Sequence, residues 1–248
     1  MNSFICWIGG KKLLRKSIIE NFPVGGGTDR YIEVFGGAGW VLFGKEPHKL
    51  EVFNDIDGEL INLYRCIKYH PEALQKELEY MLVSRELFYE NRDKNLKGLT
   101  DIQRAARYFY IIKVSFGADK DSFGCNKRNM INAVEYLSKV TERLKNVVIE
   151  NEDFADLIKV YDRPKALFYC DPPYYKTEKY YTATEFKEEQ HVQLRNVLSN
   201  IKGKFILTYN DCDYVRELYK DCNIKEIERL HNLRGDGSRY KELLITNY

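Results

Sequence analysis

This 248-residue sequence predicts an α/β fold: a mostly parallel sheet with helices on both faces and a mostly helical insertion in the middle. Three observations carry that expectation. Short β-rich apolar runs alternate with segments of helical apolar spacing, the pattern of strand–helix–strand units. Several of these runs end in glycine-rich or acidic turns, as strands do where backbone approaches a ligand at the carboxyl edge of a sheet. Between Pro71 and Asn146 this texture gives way to long helical patterns with few β-branched runs.

Taken in order, "WIGGKKLLRKSIIENF" opens with Gly9-Gly10 and sets Leu13, Leu14, Ile18 and Ile19 at helical spacing. "GGGTDR", Gly25 to Arg30, reads as a flexible loop. A short strand from Tyr31 to Phe35 breaks into "GGAG". A second strand, Leu50 to Phe53, ends in Asn54-Asp55 before a helix carrying Leu60, Ile61 and Leu63. Thr100 and Gln103 form a capping box ahead of Ile102, Ala105, Ala106 and Phe109 at core spacing. "VSFGADKDSFGCNKRN", Val114 to Asn129, interrupts the helices with glycines and mixed charge and reads as an exposed loop or hairpin. Strand-rich runs return in "NVVIENEDF", "KALFYCDPPYY", "KFILTYND", "NIKEIERL" and "YKELLITNY". Residues 1–70 and 147–248 are therefore expected to form one domain and 71–146 an insertion.

Composition narrows the function classes. The formal net charge of +2 excludes a uniformly basic nucleic-acid binder but leaves room for a local basic face. Nothing resembles a signal peptide, and no run approaches the ~18–20 apolar residues of a membrane span, so a cytoplasmic protein without a membrane partner is expected. The six cysteines form no C-x-x-C pair. They read mostly as buried free thiols, and no metal is expected.

The glycine loop narrows the ligand. By itself "GGAG" fits a structural turn as well as a ligand loop. Asp55, at the end of the next strand, can accept hydrogen bonds from both hydroxyls of a ribose. Gly37 and Gly39 supply the first two glycines of the dinucleotide fingerprint, but Leu42 stands at the third. That departure weighs against a pyrophosphate cofactor and suits an adenosine cofactor lacking one. A P-loop motif is absent.

Asp171-Pro172-Pro173-Tyr174 follows the apolar run Ala166 to Cys170. An aromatic amine attacks poorly because its lone pair is delocalised into the ring. A carboxylate and a fixed backbone carbonyl accepting its two N–H bonds would localise and aim that pair. Asp171 offers the carboxylate, Pro172 a carbonyl held by two rigid rings, and Tyr174 a stacking face. A simple aspartate-capped turn is the plainer alternative.

The motifs "WIGGK", "EVFGGAGW", "FND", "NEDF", "DPPY" and "ELLITNY" occur in the order found in Dam-type (D12 class) adenine-specific DNA methyltransferases, which the chain resembles over almost its whole length. The resemblance implies a Rossmann-like methyltransferase sheet with a target-recognition insertion. It also implies S-adenosylmethionine as cofactor, double-stranded DNA as substrate, and methyl transfer to the exocyclic N6 amine of a flipped-out adenine. Trp7 and Lys11 resemble the family's N-terminal cofactor contacts. Phe35, Gly36, Gly37, Ala38 and Gly39 resemble the loop under the methionine portion, and Asp55 the ribose acid. Asp153 and Phe154 resemble the pair holding the cofactor's adenine. Asp171 to Tyr174 resemble the catalytic tetrad, with Asp171 also near the cofactor. A restriction endonuclease of the same system is a candidate partner.

An amine inside a duplex requires base flipping, for which Tyr175, Tyr180 and Tyr181 lie near Tyr174 in sequence. Lys113, Lys127 and Arg128 flank the irregular loop, and Arg234, Arg239 and Lys241 cluster in "RGDGSRYK"; all six are candidate DNA contacts. Because Val114 to Asn129 does not reproduce the hairpin associated with reading GATC, the recognition sequence stays open. Two other readings compete. The acceptor could be cytosine N4, an RNA base or a glutamine amide, or the chain could be a non-catalytic DNA-binding homologue.

Overall fold

The apolar runs fold into one seven-stranded sheet in this computed structural model, which describes residues 1–25, 27–125, 130–176, 186–230 and 239–248. The strands are β1 (Arg30–Glu33), β2 (Leu50–Asn54), β3 (Val147–Glu150), β4 (Ala166–Cys170), β5 (Lys204–Asn210), β6 (Asn223–Leu230) and β7 (Arg239–Thr246). Their spatial order is β3-β2-β1-β4-β5-β7-β6. The first five are mutually parallel, whereas β7 runs antiparallel to both β5 and β6. The sheet is thus mostly parallel, and its far edge is an antiparallel hairpin.

Period-two alternation explains how single strands serve two cores. Tyr31 of β1 and Leu167 and Tyr169 of β4 join one apolar cluster; Ile32, Ala166, Phe168 and Cys170 join the other. Because both faces are covered, β4 is buried at every position, which is why it reads as an unbroken apolar run.

One face carries α1 (Arg15–Glu20), α2 (Trp40–Gly44) and a helical group between β2 and β3. That group comprises α3 (Gly58–Tyr69), α4 (Pro71–Glu79), α5 (Arg85–Asp93), α6 (Asp101–Val114) and α7 (Met130–Leu144). The Thr100–Gln103 capping box starts α6 as its spacing predicts. Leu74, Phe109 and Leu137 from these helices share a core with Tyr31 and Tyr169 of the sheet. Residues 71–146 are therefore packed onto the sheet layer through a common core. The other face is covered by α8 (Phe154–Tyr161), α9 (Glu188–Ser199) and α10 (Asp213–Leu218).

Two expectations change. All six cysteines are free, but only Cys66 and Cys170 are buried; Cys6 and Cys125 are exposed and the other two half-buried. The apolar strand environment that surrounds Cys170 does not extend to the N-terminal segment or the loop after α6. Of the two readings of the loop after α6, the hairpin is the one that forms, and it is partly buried where an exposed segment is expected. Ser115 and Ala118 are buried, and an isolated bridge pairs Ser115 with Phe123. No helix among the described residues is long and apolar enough to cross a membrane.

Candidate active site

β1 and β4 lie side by side although the chain visits β2 and β3 between them. Strand order reverses there, and a crevice opens at the carboxyl ends of the strands. It holds a cavity of about 370 Å³, within the range of small-molecule sites. The turns after β1, β2 and β4 line it, together with residues 7–11, the start of α8 and part of the loop after α6.

Backbone closeness shapes the glycine loop. Gly36 N–H donates to the Asn54 carbonyl at 2.7 Å, and a Cβ on Gly36 would stand 2.3 Å from the Phe53 ring. Gly37 has φ of +49°, which glycine adopts without strain, and a side chain there would press on the Trp7 indole at 2.9 Å. Asp55 fastens this turn to the next one. One carboxylate oxygen accepts Gly37 N–H at 2.8 Å, and the other accepts Asp57 N–H at 2.9 Å. Burial pushes its carboxyl up to about 6, opposed by those two hydrogen bonds. The cap of α3 is Asp57, whose carboxylate accepts Glu59 and Leu60 N–H.

Leu42, where the dinucleotide fingerprint would have its third glycine, donates its N–H to Glu33 at 2.8 Å. Glu33 also accepts the Tyr31 hydroxyl at 2.7 Å. Burial pushes the Glu33 carboxyl up to about 8, so it is mostly protonated at neutral pH despite those hydrogen bonds.

Asp171 stands at the end of β4 and is held by side chains. Lys11 Nζ lies 2.8 Å from one carboxylate oxygen, and the Thr208 hydroxyl of β5 donates to the other at 2.8 Å. Burial raises the Asp171 pKa, while the Lys11 ammonium and the Thr208 hydrogen bond pull the other way. Lys11, only 6% exposed, also donates to the Gly9 carbonyl at 2.7 Å and lies 4.8 Å from the Tyr174 ring centroid. The Tyr174 hydroxyl donates to buried Glu242 of β7 at 2.5 Å. Burial and the nearby Asp171 and Glu242 charges keep that phenol well above its ordinary pKa, hence a neutral donor. Pro172 and Pro173 are buried.

The cavity thus gathers Trp7, Lys11, the whole Phe35–Gly39 loop, Asp55, Asp153, Phe154, Asp171 and Pro173. Pro172 and Tyr174, though part of the same turn, are not among its lining residues. Phe154 rings pack 5.7 Å from Phe35 and 5.8 Å from Phe186, giving the cavity an aromatic end. Asp153 lines the cavity and also caps α8, accepting Ala155 N–H at 2.8 Å.

The proposed DNA contacts are more dispersed. Lys113 is half-buried and donates to the Phe4 carbonyl at 3.2 Å, outside the cavity lining. Lys241 is exposed and 3.7 Å from Glu226. Lys127, Arg128, Arg234, Tyr180, Tyr181 and the Arg239 side chain lie outside the described residues.

Sequence reasoning missed Thr208, Glu33, Glu242, Phe186 and Lys120. A lone polar residue among apolar neighbours in a strand is the signal that two of them share, Thr208 in "KFILTYND" and Glu33 in "YIEVF"; Glu242 follows another charged residue in "KELLIT" and gives no such signal. Among the described residues no group of histidine, cysteine or acidic side chains could hold a metal ion.

A model of the D12 class N6 adenine-specific DNA methyltransferase family matches residues 7–233. The chain belongs to this family. Among proteins similar to this D12 methyltransferase is the Type II methyltransferase M1.LlaDCHI of Lactococcus lactis subsp. cremoris. It is 32% identical, over 100% of this chain and 96% of that one. The Type II methyltransferase M.CviBI of Paramecium bursaria Chlorella virus NC1A is 27% identical over 100% of both chains. A DNA adenine methylase of Vibrio cholerae is 22% identical over 95% of this chain and 91% of its own. The D12 methyltransferase described here is an enzyme of adenine methylation in DNA.

Proposed function

We propose that this D12 methyltransferase uses S-adenosylmethionine as methyl donor, and that Asp171 orients the N6 amine of a flipped-out adenine toward it. The observation that carries this reading is the Asp171 carboxylate at the cavity edge, held between Lys11 and Thr208.

The lining supports the cofactor. Leaving aside the mostly protonated Glu33, six of its residues are Asp or Glu against two lysines, Lys11 and Lys120. Such a wall suits a cationic ligand and repels a pyrophosphate. The rings of Phe35, Phe154 and Phe186 suit a purine, and Gly36, where a Cβ would collide with the Phe53 ring, lets the glycine loop lie close against the turn after β2. When bound, S-adenosylmethionine supplies an electrophilic methyl group on a sulfonium.

The chain's own residues do the rest. Asp55 accepts from the ribose with lone pairs left by its two backbone bonds. Asp171, whose ionised form the adjacent Lys11 ammonium favours against burial, accepts one N–H of the amine, and the Pro172 carbonyl accepts the other. These bonds strengthen as positive charge develops on the attacking nitrogen, which favours the transition state over the ground state. Tyr174, anchored through Glu242, stacks on the base.

Residues 71–146 form the target-recognition insertion in this reading, and Lys113 and Lys241 are candidate phosphate contacts. The likeness to Type II methyltransferases makes a restriction endonuclease of the same specificity a candidate partner.

The test is direct. Duplex DNA is incubated with the purified chain and methyl-labelled S-adenosylmethionine, and the nucleosides are separated by mass. Label in N6-methyldeoxyadenosine is expected. Label on cytosine, or none with several duplex sequences, overturns the proposal.

A further inference from the structure

The two lysines of the cavity have unequal commitments. Lys11 is buried against Asp171 at 2.8 Å and also donates to a backbone carbonyl. Lys120 comes from the helical insertion, in the loop after α6. Its ammonium donates one hydrogen bond, to the Tyr108 hydroxyl at 3.2 Å. It lies 3.9 Å from Asp57 Oδ2, beyond hydrogen-bond length, and 4.7 Å from the Trp7 ring centroid. An ammonium has three N–H donors. Tyr108 already satisfies that Asp57 oxygen with its own hydroxyl at 2.6 Å.

The loop's course into the cavity is costly. Ala118 and Lys120 both adopt left-handed backbone, at φ of +63° and +65°, in addition to Gly117. Non-glycine residues in that region carry strain that tends to occur at functional sites. Buried Ala118 anchors the turn, and Lys120 then projects over Trp7 at the cavity wall.

The cofactor of the proposed function has one anionic group, its α-carboxylate, which the acid-rich wall would repel. With the purine at the aromatic end and the sulfonium facing Asp171, the amino-acid tail takes the remaining limb, beside Trp7. We propose that Lys120 binds the cofactor's carboxylate, so that an insertion residue completes the cofactor site. This inference rests on the cofactor reading above. It makes S-adenosylmethionine affinity depend on a loop belonging to the recognition segment.

The experiment compares two ligands on the full chain by calorimetry without DNA: S-adenosylmethionine and its decarboxylated analogue, which keeps the sulfonium and the amine. The parental chain should prefer the carboxylated ligand. Lys120→Met should lose about tenfold or more in affinity for it, the size of one charge-assisted hydrogen bond, with the analogue unaffected. Lys120→Arg should retain most of the preference. An unchanged preference in Lys120→Met overturns the inference, as does an equal loss for both ligands, which marks a structural role for the loop. A parental chain that binds neither ligand defeats the cofactor reading itself, and that result is visible before any Lys120 variant is made.

Discussion

Asp55 and Asp171 stand at the carboxyl ends of β2 and β4, the two strands flanking β1, yet the chain holds them in opposite ways. Asp55 is bound by backbone N–H groups of Gly37 and Asp57, partners that no substitution can easily remove. Asp171 is bound by the side chains of Lys11 and Thr208, one of them a full charge. Backbone partners fix a carboxylate as part of the scaffold and hold two turns in register. Side-chain partners set its charge and leave it adjustable. The difference teaches that the half of the site at β2 is built for shape and the half at β4 for charge.

The comparison is broken most severely at Asp171. Asp171→Asn nearly keeps the shape and loses the charge, so single-turnover methyl transfer should fall by ~10²–10³, the loss typical of one preorganised electrostatic contact. DNA affinity, measured by titration, should stay within a few-fold.

Lys11 sharpens the contrast. An adjacent cation lowers a carboxylate pKa by roughly 1–3 units. Lys11→Met should therefore move the acid limb of the pH–rate profile upward by about that much, because in the proposed function Asp171 accepts the amine in its ionised form. A limb that does not move would detach Lys11 from the charge of Asp171. Thermal unfolding should accompany the profile, since removing one partner of a buried pair also destabilises the fold.

Asp55→Ala should cost about 1–3 kcal/mol of S-adenosylmethionine affinity by calorimetry. In the parental chain, the same affinity should weaken as pH falls through about 6, where Asp55 takes up its proton. Equal affinities for parent and variant would leave Asp55 a tie between turns and nothing more.

The last expectation concerns Glu33 and bears on stability alone. Its folded-state pKa, about 8, is raised from an ordinary 4.5. Its relative contribution to stability is therefore full below 4.5 and is lost as pH rises toward about 8. Glu33→Gln, which cannot ionise, should flatten the dependence of Tm on pH across that window. Identical slopes in parent and variant would mean that Glu33 is ionised in the folded chain.

The sheet and the edge turns were legible because their signals are local. β4 is five consecutive apolar residues, and the tetrad after it is contiguous. The capping box at Thr100 is equally local and forms as its spacing predicts. The partners of Asp171 were not legible, because Lys11 and Thr208 arrive from the N-terminus and the neighbouring strand. Only the parallel pairing of β4 with β5 brings Thr208 within reach. The position of Lys120 was hidden for another reason. A loop of glycines and mixed charge reads as solvated, and two left-handed residues that turn it inward leave no compositional trace.

The most direct test of the two-carboxylate account places Asp55→Asn and Asp171→Asn side by side in single-turnover methyl transfer, with S-adenosylmethionine raised to saturation and DNA in excess. The account predicts that the Asp55 variant recovers a near-parental rate once cofactor is saturating, while the Asp171 variant stays ~10²–10³ below it. Recovery of the Asp171 variant at high cofactor, or failure of the Asp55 variant to recover, would contradict the assignment of shape to one carboxylate and charge to the other.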